Sequence, residues 1–338
     1  MLSEVIFVCK NEGGLNRIMR TRIIGTGSCL PDTIVTNDDL SKIMDTSDEW
    51  ISSRTGIRER RLVKDETTAS MSIKASLRAM ENAGVTADEI DLIIVATVTG
   101  DHVTPSTACE IQAAIGADKA VAFDINAACS GFLFALHIAD AYLKIGTYKT
   151  ALILGAETLS RIMDWNDRST CVLFGDGAGA AIVRADQTGL LAYDQGSDGA
   201  RGMVLACPNR SNNNPLVKNP TDMKFVNMDG QEVYKFAVTT VPSSINKVLD
   251  EAGLTTEDID YFALHQANVR IIQAVAKRLK VSEDKFPTSL DHCGNISAAS
   301  VPILLDEMNQ KGLLKQGMKI VLSGFGGGLT WGSAVIEW

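Results

Sequence analysis

The sequence has no apolar run long enough to cross a bilayer. Its continuous apolar stretches, such as residues 92–95 and 151–154, fall far short of the ~20 residues a membrane helix needs. It has no excess of positive charge either. The 41 acidic residues outnumber the 32 basic ones, for a net charge of −9, which argues against a nucleic-acid partner. An acidic partner would have to find a local basic patch. There is no paired cysteine spacing. Cys9, Cys29, Cys109, Cys129, Cys171, Cys207 and Cys293 are odd in number, widely spaced and without a CxxC. That pattern excludes a disulfide framework and a zinc knuckle and fits a reducing cytoplasm. The four histidines, His102, His137, His265 and His292, form no HxxxH pair, so no metal site is expected. No GxGxxG opens a helix, and GDGAGAA at 175–181 lacks the GK[ST] ending of a phosphate loop and runs into the apolar AAIV. It is read as packing, not as a nucleotide site. The start of the chain does not resemble a signal peptide: Glu4 precedes a short apolar run where basic residues would stand. Residues 1–18 are expected to be a disordered extension or a mis-assigned start, with the fold beginning at Met19.

What the chain does have is an internal repeat. ENAGVTADEIDLIIVATV and DEAGLTTEDIDYFALHQA align Gly84 with Gly253 and Asp91 with Asp260, 169 residues apart. ALILGAE and IVLSGFG align Gly155 with Gly324 at the same offset. FDINAACSG and LDHCGNISA share an aspartate, Asp124 and Asp291, 167 apart. Each half reads as an amphipathic helix ending at glycine, a short acidic turn and an apolar strand. Such units predict sheets covered by helices on both faces, an α/β architecture of two similar halves, 19–191 and 192–338. The Asn-, Gly- and Pro-rich stretch from about 192 to 228 breaks the pattern and reads as a loop or lid between them.

The repeat also predicts where chemistry lies, because equivalent strand ends meet near the pseudo-axis. Cys129, in NAACSGF, sits where a strand at 121–125 turns into a helix, among residues small enough to admit a ligand. The positive end of that helix is expected to lower the thiol's pKa and make it a nucleophile; the competing reading is a buried structural cysteine. His265 follows a strand and precedes a helix, in the loop LHQANVRII, where active-site residues are common. Asn295, in DHCGNISAAS, is read as a turn asparagine or as a neutral hydrogen-bond donor. The glycines of GFGGGLTWGSA at 324–334 allow main chain to approach a ligand.

With these residues placed, the chain from Met19 to Trp338 resembles β-ketoacyl-acyl-carrier-protein synthase III, the initiating condensing enzyme of type II fatty acid synthesis in the thiolase superfamily. DTSDEWISSRTGIRERR, AACSGF, FGDGAGAA, HQANVRII, GNISAASVP and GFGGGLTWGSA carry the resemblance. It implies a layered αβαβα sandwich of two pseudo-two-fold halves, a homodimer, and no cofactor or metal. It implies that Cys129 takes an acyl group from acyl-CoA. His265 and Asn295 then stabilise the enolate formed when malonyl-acyl-carrier-protein loses CO2, while the amides of Cys129 and Gly327 hold the tetrahedral oxyanion. Trp50 and Arg168 would sandwich the CoA adenine, with Thr46 and Arg54 nearby and Gly230 and Asn268 along the pantetheine channel. Thr104, Leu159 and Leu205 would shape the acyl pocket. Thr104 replaces a phenylalanine of some relatives that reaches across the dimer, which points to longer or branched primers as well as acetyl-CoA. On the helix NVRIIQAVAKRLK, Arg270 and Lys277 project opposite the stripe Ile272, Val275, Ala276 and Leu279. With Lys235 and Arg278 they would dock acyl carrier protein. Competing readings are a condensing enzyme of secondary metabolism with the same three residues, a cysteine hydrolase built on Cys129 and His265, and a non-catalytic acyl-CoA-binding protein.

Overall fold

In the computed structural model, residues 19–212, 214–217 and 224–338 are described. Residues 1–18, and the expectation about them, lie outside the described residues. A first sheet comprises strands β1 (Arg20–Cys29), β2 (Leu92–Ala96), β3 (Val121–Ile125), β4 (Thr150–Thr158) and β5 (Asp176–Asp186). A second comprises β6 (Leu190–Ser197), β7 (Tyr261–Leu264), β8 (Lys319–Gly326) and β9 (Thr330–Glu337). The helices used below are α1 (Asp48–Thr55), α2 (Thr68–Ala83), α3 (Thr107–Ile115), α4 (Gly131–Lys144), α5 (Gly230–Ala252), α6 (Val269–Leu279) and α7 (Ser300–Gln310).

The same local rules act twice. Helix α2 stops at Gly84 and α5 at Gly253, each in the left-handed conformation that glycine adopts without penalty, with φ of 64° and 67°. A single 3-10 turn follows each, capped by Thr86 with Glu89 and by Thr255 with Asp258. The chain then enters β2 or β7, whose continuous apolar residues suit a strand buried on both faces. The first sheet runs β1-β5-β4-β2-β3 and the second β6-β9-β8-β7. Each sheet contains the equivalent parallel pair, β2 with β4 and β7 with β8, and the remaining shared pairs are antiparallel. Helices α4 and α7 lie between the sheets. Phe132, Leu136, Val301 and Leu304 pack there against Ile94 and Ile153 of one sheet and Ile320 and Leu322 of the other. Helices α2 and α3 cover the outer face of the first sheet, α5 and α6 that of the second. The result is the five-layered thiolase-like sandwich expected.

Two expectations need correction. The division after residue 191 falls inside β6, because the alternating segment from Leu190 pairs with β9. The same strand removes residues 192–197 from the expected lid. Further on, Leu205–Ala206 and Asn227–Met228 pair as a short ribbon. The packing role of the 175–181 glycines holds: a Cβ on Gly179 would stand 2.7 Å from the Ile303 amide of α7. No helix among the described residues is long and apolar enough to cross a membrane.

Candidate active site

Cys129 lies in a 3-10 turn, Ala128–Ser130, between β3 and α4. Ala128 enters the turn at φ 44°, a conformation that alanine rarely holds. The second half clamps this turn from the other side. A Cβ on Gly326 would stand 3.0 Å from the Cys129 sulfur, so only glycine lets the β8 backbone lie on the thiol. The Ser130 hydroxyl donates to Thr330 Oγ1 at 2.8 Å, and Thr330 reaches the Gly327 carbonyl at 2.9 Å. Cys129 is buried, 7% exposed. Burial pushes its thiol up to about 12; the Ser297 hydroxyl pulls the other way, and the Glu157 carboxylate adds to the rise. Burial thus opposes the lowering expected from the helix terminus.

His265 leaves β7 with its amide bonded to the Ser323 carbonyl at 2.7 Å. The imidazole is 2% exposed and stands edge-on to Phe325, ring centres 5.3 Å apart. Burial pulls its pKa down to about 3, so it is neutral. Its Nδ1 is buried with no protein partner among the described residues. Asn295 is pinned at three points. Its amide donates to the Leu173 carbonyl (2.9 Å), its carbonyl accepts from Gly175 (3.0 Å), and its Oδ1 accepts from the Ser297 amide (2.9 Å). With Oδ1 so occupied, the side-chain NH2 is left to donate to a ligand.

Cys129, His265 and Asn295 line one cavity of ≈ 720 Å³. Trp50, Arg54, Gly230, Lys235, Asn268 and Arg270 line it too, toward the exterior. A second cavity, ≈ 450 Å³, opens on the other side of Cys129, lined by Leu159, Leu205 and Gly327. Other expected residues sit outside these walls. Thr104 is exposed and lines neither cavity. Thr46 lines neither, though its hydroxyl is buried without a partner. Arg168 stacks directly on Trp50, 5.2 Å from the ring centre, with Arg54 4.7 Å from the same ring. The slot expected between Trp50 and Arg168 is thus closed by Arg168 itself, held by the carbonyl and carboxylate of Asp45. An adenine entering it must displace that guanidinium. On α6, Ile272, Val275, Ala276 and Leu279 are buried while Arg270, Lys277 and Arg278 are exposed, as the spacing predicts. Arg270 also donates to the Ser53 carbonyl at 2.9 Å, and Lys235 pairs with Glu232 at 2.7 Å.

Sequence reasoning missed two groups beside the thiol, Glu157 and Ser297. A carboxylate inside the otherwise uncharged strand TALILGAET was the available signal. It also missed His292, Cys293 and Glu307, whose donor atoms lie within 4.8 Å of one another behind the Asn295 loop. His292 Nε2 and Glu307 Oε1 are 2.9 Å apart, and Lys311 takes the other carboxylate oxygen, so the group is satisfied by its own bonds.

Two similar halves in five layers, with a buried cysteine at their junction, define the thiolase-like class of fold. Residues 123–199 match the family described as 3-oxoacyl-[acyl-carrier-protein] synthase III, and residues 249–338 match its C-terminal part. A Clostridium acetobutylicum protein named beta-ketoacyl-[acyl-carrier-protein] synthase III is 56% identical over 319 residues, covering 94% of this chain and 98% of its own. Its Xanthomonas campestris namesake is 48% identical, covering 96% of this chain and 100% of its own. Among solved structures, 3-oxoacyl-[acyl-carrier-protein] synthase III of Aquifex aeolicus superposes with a TM-score of 0.88 at 44% identity, over 94% of this chain and 100% of that one. The priming β-ketosynthase of the R1128 polyketide pathway superposes with a TM-score of 0.87 at 37% identity, over 96% and 98%. The chain belongs to the β-ketoacyl-[acyl-carrier-protein] synthase III family.

Proposed function

We propose that this protein performs the condensation that starts type II fatty acid synthesis, using Cys129 as nucleophile. The observation that carries the assignment of residues is the shared cavity: a thiol and two uncharged donors, from three distant segments, line one wall-to-wall space. Cys129 attacks the thioester carbonyl of an acyl-CoA, the amides of Cys129 and Gly327 hold the oxyanion, and CoA leaves. Malonyl-acyl-carrier-protein then enters. His265 and Asn295 donate to its thioester oxygen as the bond to CO2 breaks, and the enolate carbon attacks the acyl-Cys129 carbonyl to give 3-oxoacyl-carrier-protein. Neutral donors suit this step because the charge they meet exists only as the reaction proceeds. A histidine that burial keeps neutral has that property across the working pH range.

The ≈ 450 Å³ inner cavity is about fifteen times a water's ~30 Å³ share of liquid. That supports primers longer or more branched than acetyl. Trp50, Arg54, Gly230 and Asn268 line the CoA path, with Thr46 and Arg168 as outer contacts. Lys235, Arg270, Lys277 and Arg278 form the cationic rim that receives the carrier protein. A second copy of the chain completes the acyl end. The β3 edge is unpaired, with Val121 47% exposed, and the neighbouring loop presents Val103 at 82% exposure beside Thr104. No cofactor or metal takes part, and the six cysteines among the described residues, all free, suit a cytoplasmic setting.

Intact-mass measurement after exposure to a panel of acyl-CoAs, then to malonyl-carrier-protein, tests the reading. Expected is a mass gain at Cys129 that malonyl-carrier-protein discharges as 3-oxoacyl product. No gain in the wild-type protein would overturn it. Discharge by a different acceptor would favour the specialised priming role of the R1128 relative.

A further inference from the structure

Both ring nitrogens of His292 face carboxylate oxygens. Nδ1 lies 2.9 Å from Asp291 Oδ1, and Nε2 lies 2.9 Å from Glu307 Oε1. A neutral imidazole carries one N–H, so it serves one of these oxygens and turns a lone pair on the other. The arrangement therefore calls for a cation between His292 and Glu307. A proton on the ring meets that need, and so does a metal ion. Hydrogen bonding gives no reason for the third member of the group. The Cys293 sulfur is buried and stands 3.8 Å from the same Glu307 Oε1, and donor atoms of all three residues lie within 4.8 Å of one another. A thiol is a weak donor to a carboxylate that already has His292 and Lys311, but its thiolate is a strong ligand for a borderline-soft ion.

Nitrogen, sulfur and oxygen donors bound to a tetrahedral Zn2+ at about 2.0–2.3 Å stand roughly 3.3–3.8 Å from one another. The separations of 2.9 and 3.8 Å come close to that range, so closing on an ion asks only for small side-chain adjustments. The outer partners of the three donors are those that a metal site uses. Asp291 accepts the Nδ1 proton, which orients the ring and leaves Nε2 for an ion. Lys311 holds Glu307 Oε2 at 3.2 Å and leaves Oε1 free to coordinate. Three protein ligands leave a fourth position to water, and the half-buried His292 gives an ion a way in from solvent. The sequence hides the group because two of its members are neighbours and the third lies 14 and 15 residues on, a spacing that no short motif describes.

We propose that His292 Nε2, Cys293 Sγ and Glu307 Oε1 form a Zn2+ site that clips the segment carrying Asn295. On binding, the ion takes the place of the thiol proton and of the proton held between His292 and Glu307, and both protons go to solvent. The site joins the last two residues of the short helix Leu290–Cys293 to α7, and so ties the chain on either side of Asn295 and Ser297. The turn between them is costly to hold. Gly294 sits at φ 70° and Ser297 at φ 44°, and a Cβ on Gly175 would collide with the Cys293 carbonyl. An ion that binds only the folded arrangement stabilises it. The ion takes no part in the condensation, and the site does not depend on the reaction proposed above.

The test titrates the full chain, stripped with a chelator, with Zn2+ alone. All proteins carry Cys129→Ala, so that the thiol in the large cavity cannot hold the ion. Expected are one ion per chain by native mass spectrometry, a Kd of about 1 μM or tighter, and an unfolding midpoint that rises by a few degrees with saturating Zn2+. Cys293→Ser and His292→Ala should each weaken binding by about a hundredfold or more and remove the rise in midpoint, and Asp291→Asn should weaken binding by about tenfold. Co2+ in place of Zn2+ should give the near-ultraviolet charge-transfer absorption of a thiolate ligand, and Cys293→Ser should lose it. Thermal unfolding without metal checks that each variant is folded. Should Cys293→Ser not fold, His292→Ala decides, because its side chain is only half-buried. No bound ion at ~100 μM Zn2+ would overturn the site. An ion held equally well by the folded ligand variants would overturn it too, as an adventitious ion only.

Discussion

The two halves share a scaffold residue for residue and differ where chemistry is placed. Strands β2 and β7, β4 and β8, and helices α4 and α7 all begin 169 residues apart. Even the strained turns correspond. Ala128 and Ser297 both have φ 44°, and each amide donates to the asparagine two residues earlier, Asn126 at 3.4 Å and Asn295 at 2.9 Å. At this offset the counterpart of Cys129 is Ala298, and the counterpart of His265 is Ala96. Asn295 therefore matches Asn126; the 167-residue aspartate match slips the register by two. The first half also keeps a fifth strand, β3, where the second has only the short helix Leu290–Cys293. That missing strand brings the Asn295 loop against residues 173–175 of the other half. One half supplies the nucleophile and the other the donors. A duplicated fold can thus build an asymmetric site without altering its frame.

The most direct way to break the comparison is to make the halves alike at their point of difference. Cys129→Ala gives the first turn the residue of the second, and acyl transfer should fall by at least about a thousandfold, read as loss of the mass gain with acyl-CoA. His265→Ala gives the second half the residue of the first. It should slow malonyl-carrier-protein decarboxylation by about a hundredfold or more while slowing Cys129 acylation far less, and Asn295→Ala should do the same. Equal loss in both half-reactions would mean that the donors do not serve the enolate.

The frame was legible because it obeys local rules that repeat. Helix-stopping glycines, threonine caps and apolar strands recur at one spacing, and a shared offset is stronger than any single match. Cys129, His265 and Asn295 were legible because each stands at a strand end or turn among small residues. The burial of the thiol was not, because helix position is written in sequence while burial is not: Gly326, which lies against the Cys129 sulfur, comes from a segment nearly 200 residues away. Glu157 escaped for the same reason, since a single carboxylate in a strand reads as an edge residue until the layer above it is known. Thr104 lines neither cavity of its own chain.

A structural comparison sharpens the same point. Gly155 and Gly324 are counterparts, and each lies against the other half's turn. A Cβ at Gly155 would collide with the Ala298 carbonyl, whereas at Gly324 it would approach the Cys129 carbonyl no closer than 3.1 Å. Gly155→Ala should destabilise the fold by about 3 kcal/mol and Gly324→Ala by about 1 kcal/mol, measured by denaturant unfolding. Equal effects would show that the two turns pack alike after all.

The last comparison separates Glu157 of the first half from His265 of the second by pH. His265 has a folded pKa of about 3 against an ordinary 6.5, so the unfolded chain binds the extra proton as the pH falls. The stability due to its neutral form is present above about 6.5 and is lost toward 3, at up to about 1.4 kcal/mol per pH unit. Glu157 has the opposite sign. Its folded value of about 7 lies above the ordinary 4.5, so its contribution is complete below 4.5 and is lost as the pH rises through 7. Between 4.5 and 6.5 the two slopes oppose and the wild-type stability should be nearly level. Glu157→Gln should expose a stability that falls with acidification, and His265→Asn one that falls with rising pH. Unfolding midpoints across pH 4.5–6.5 would read both, and variants with parallel profiles would mean that neither group is shifted in the folded protein.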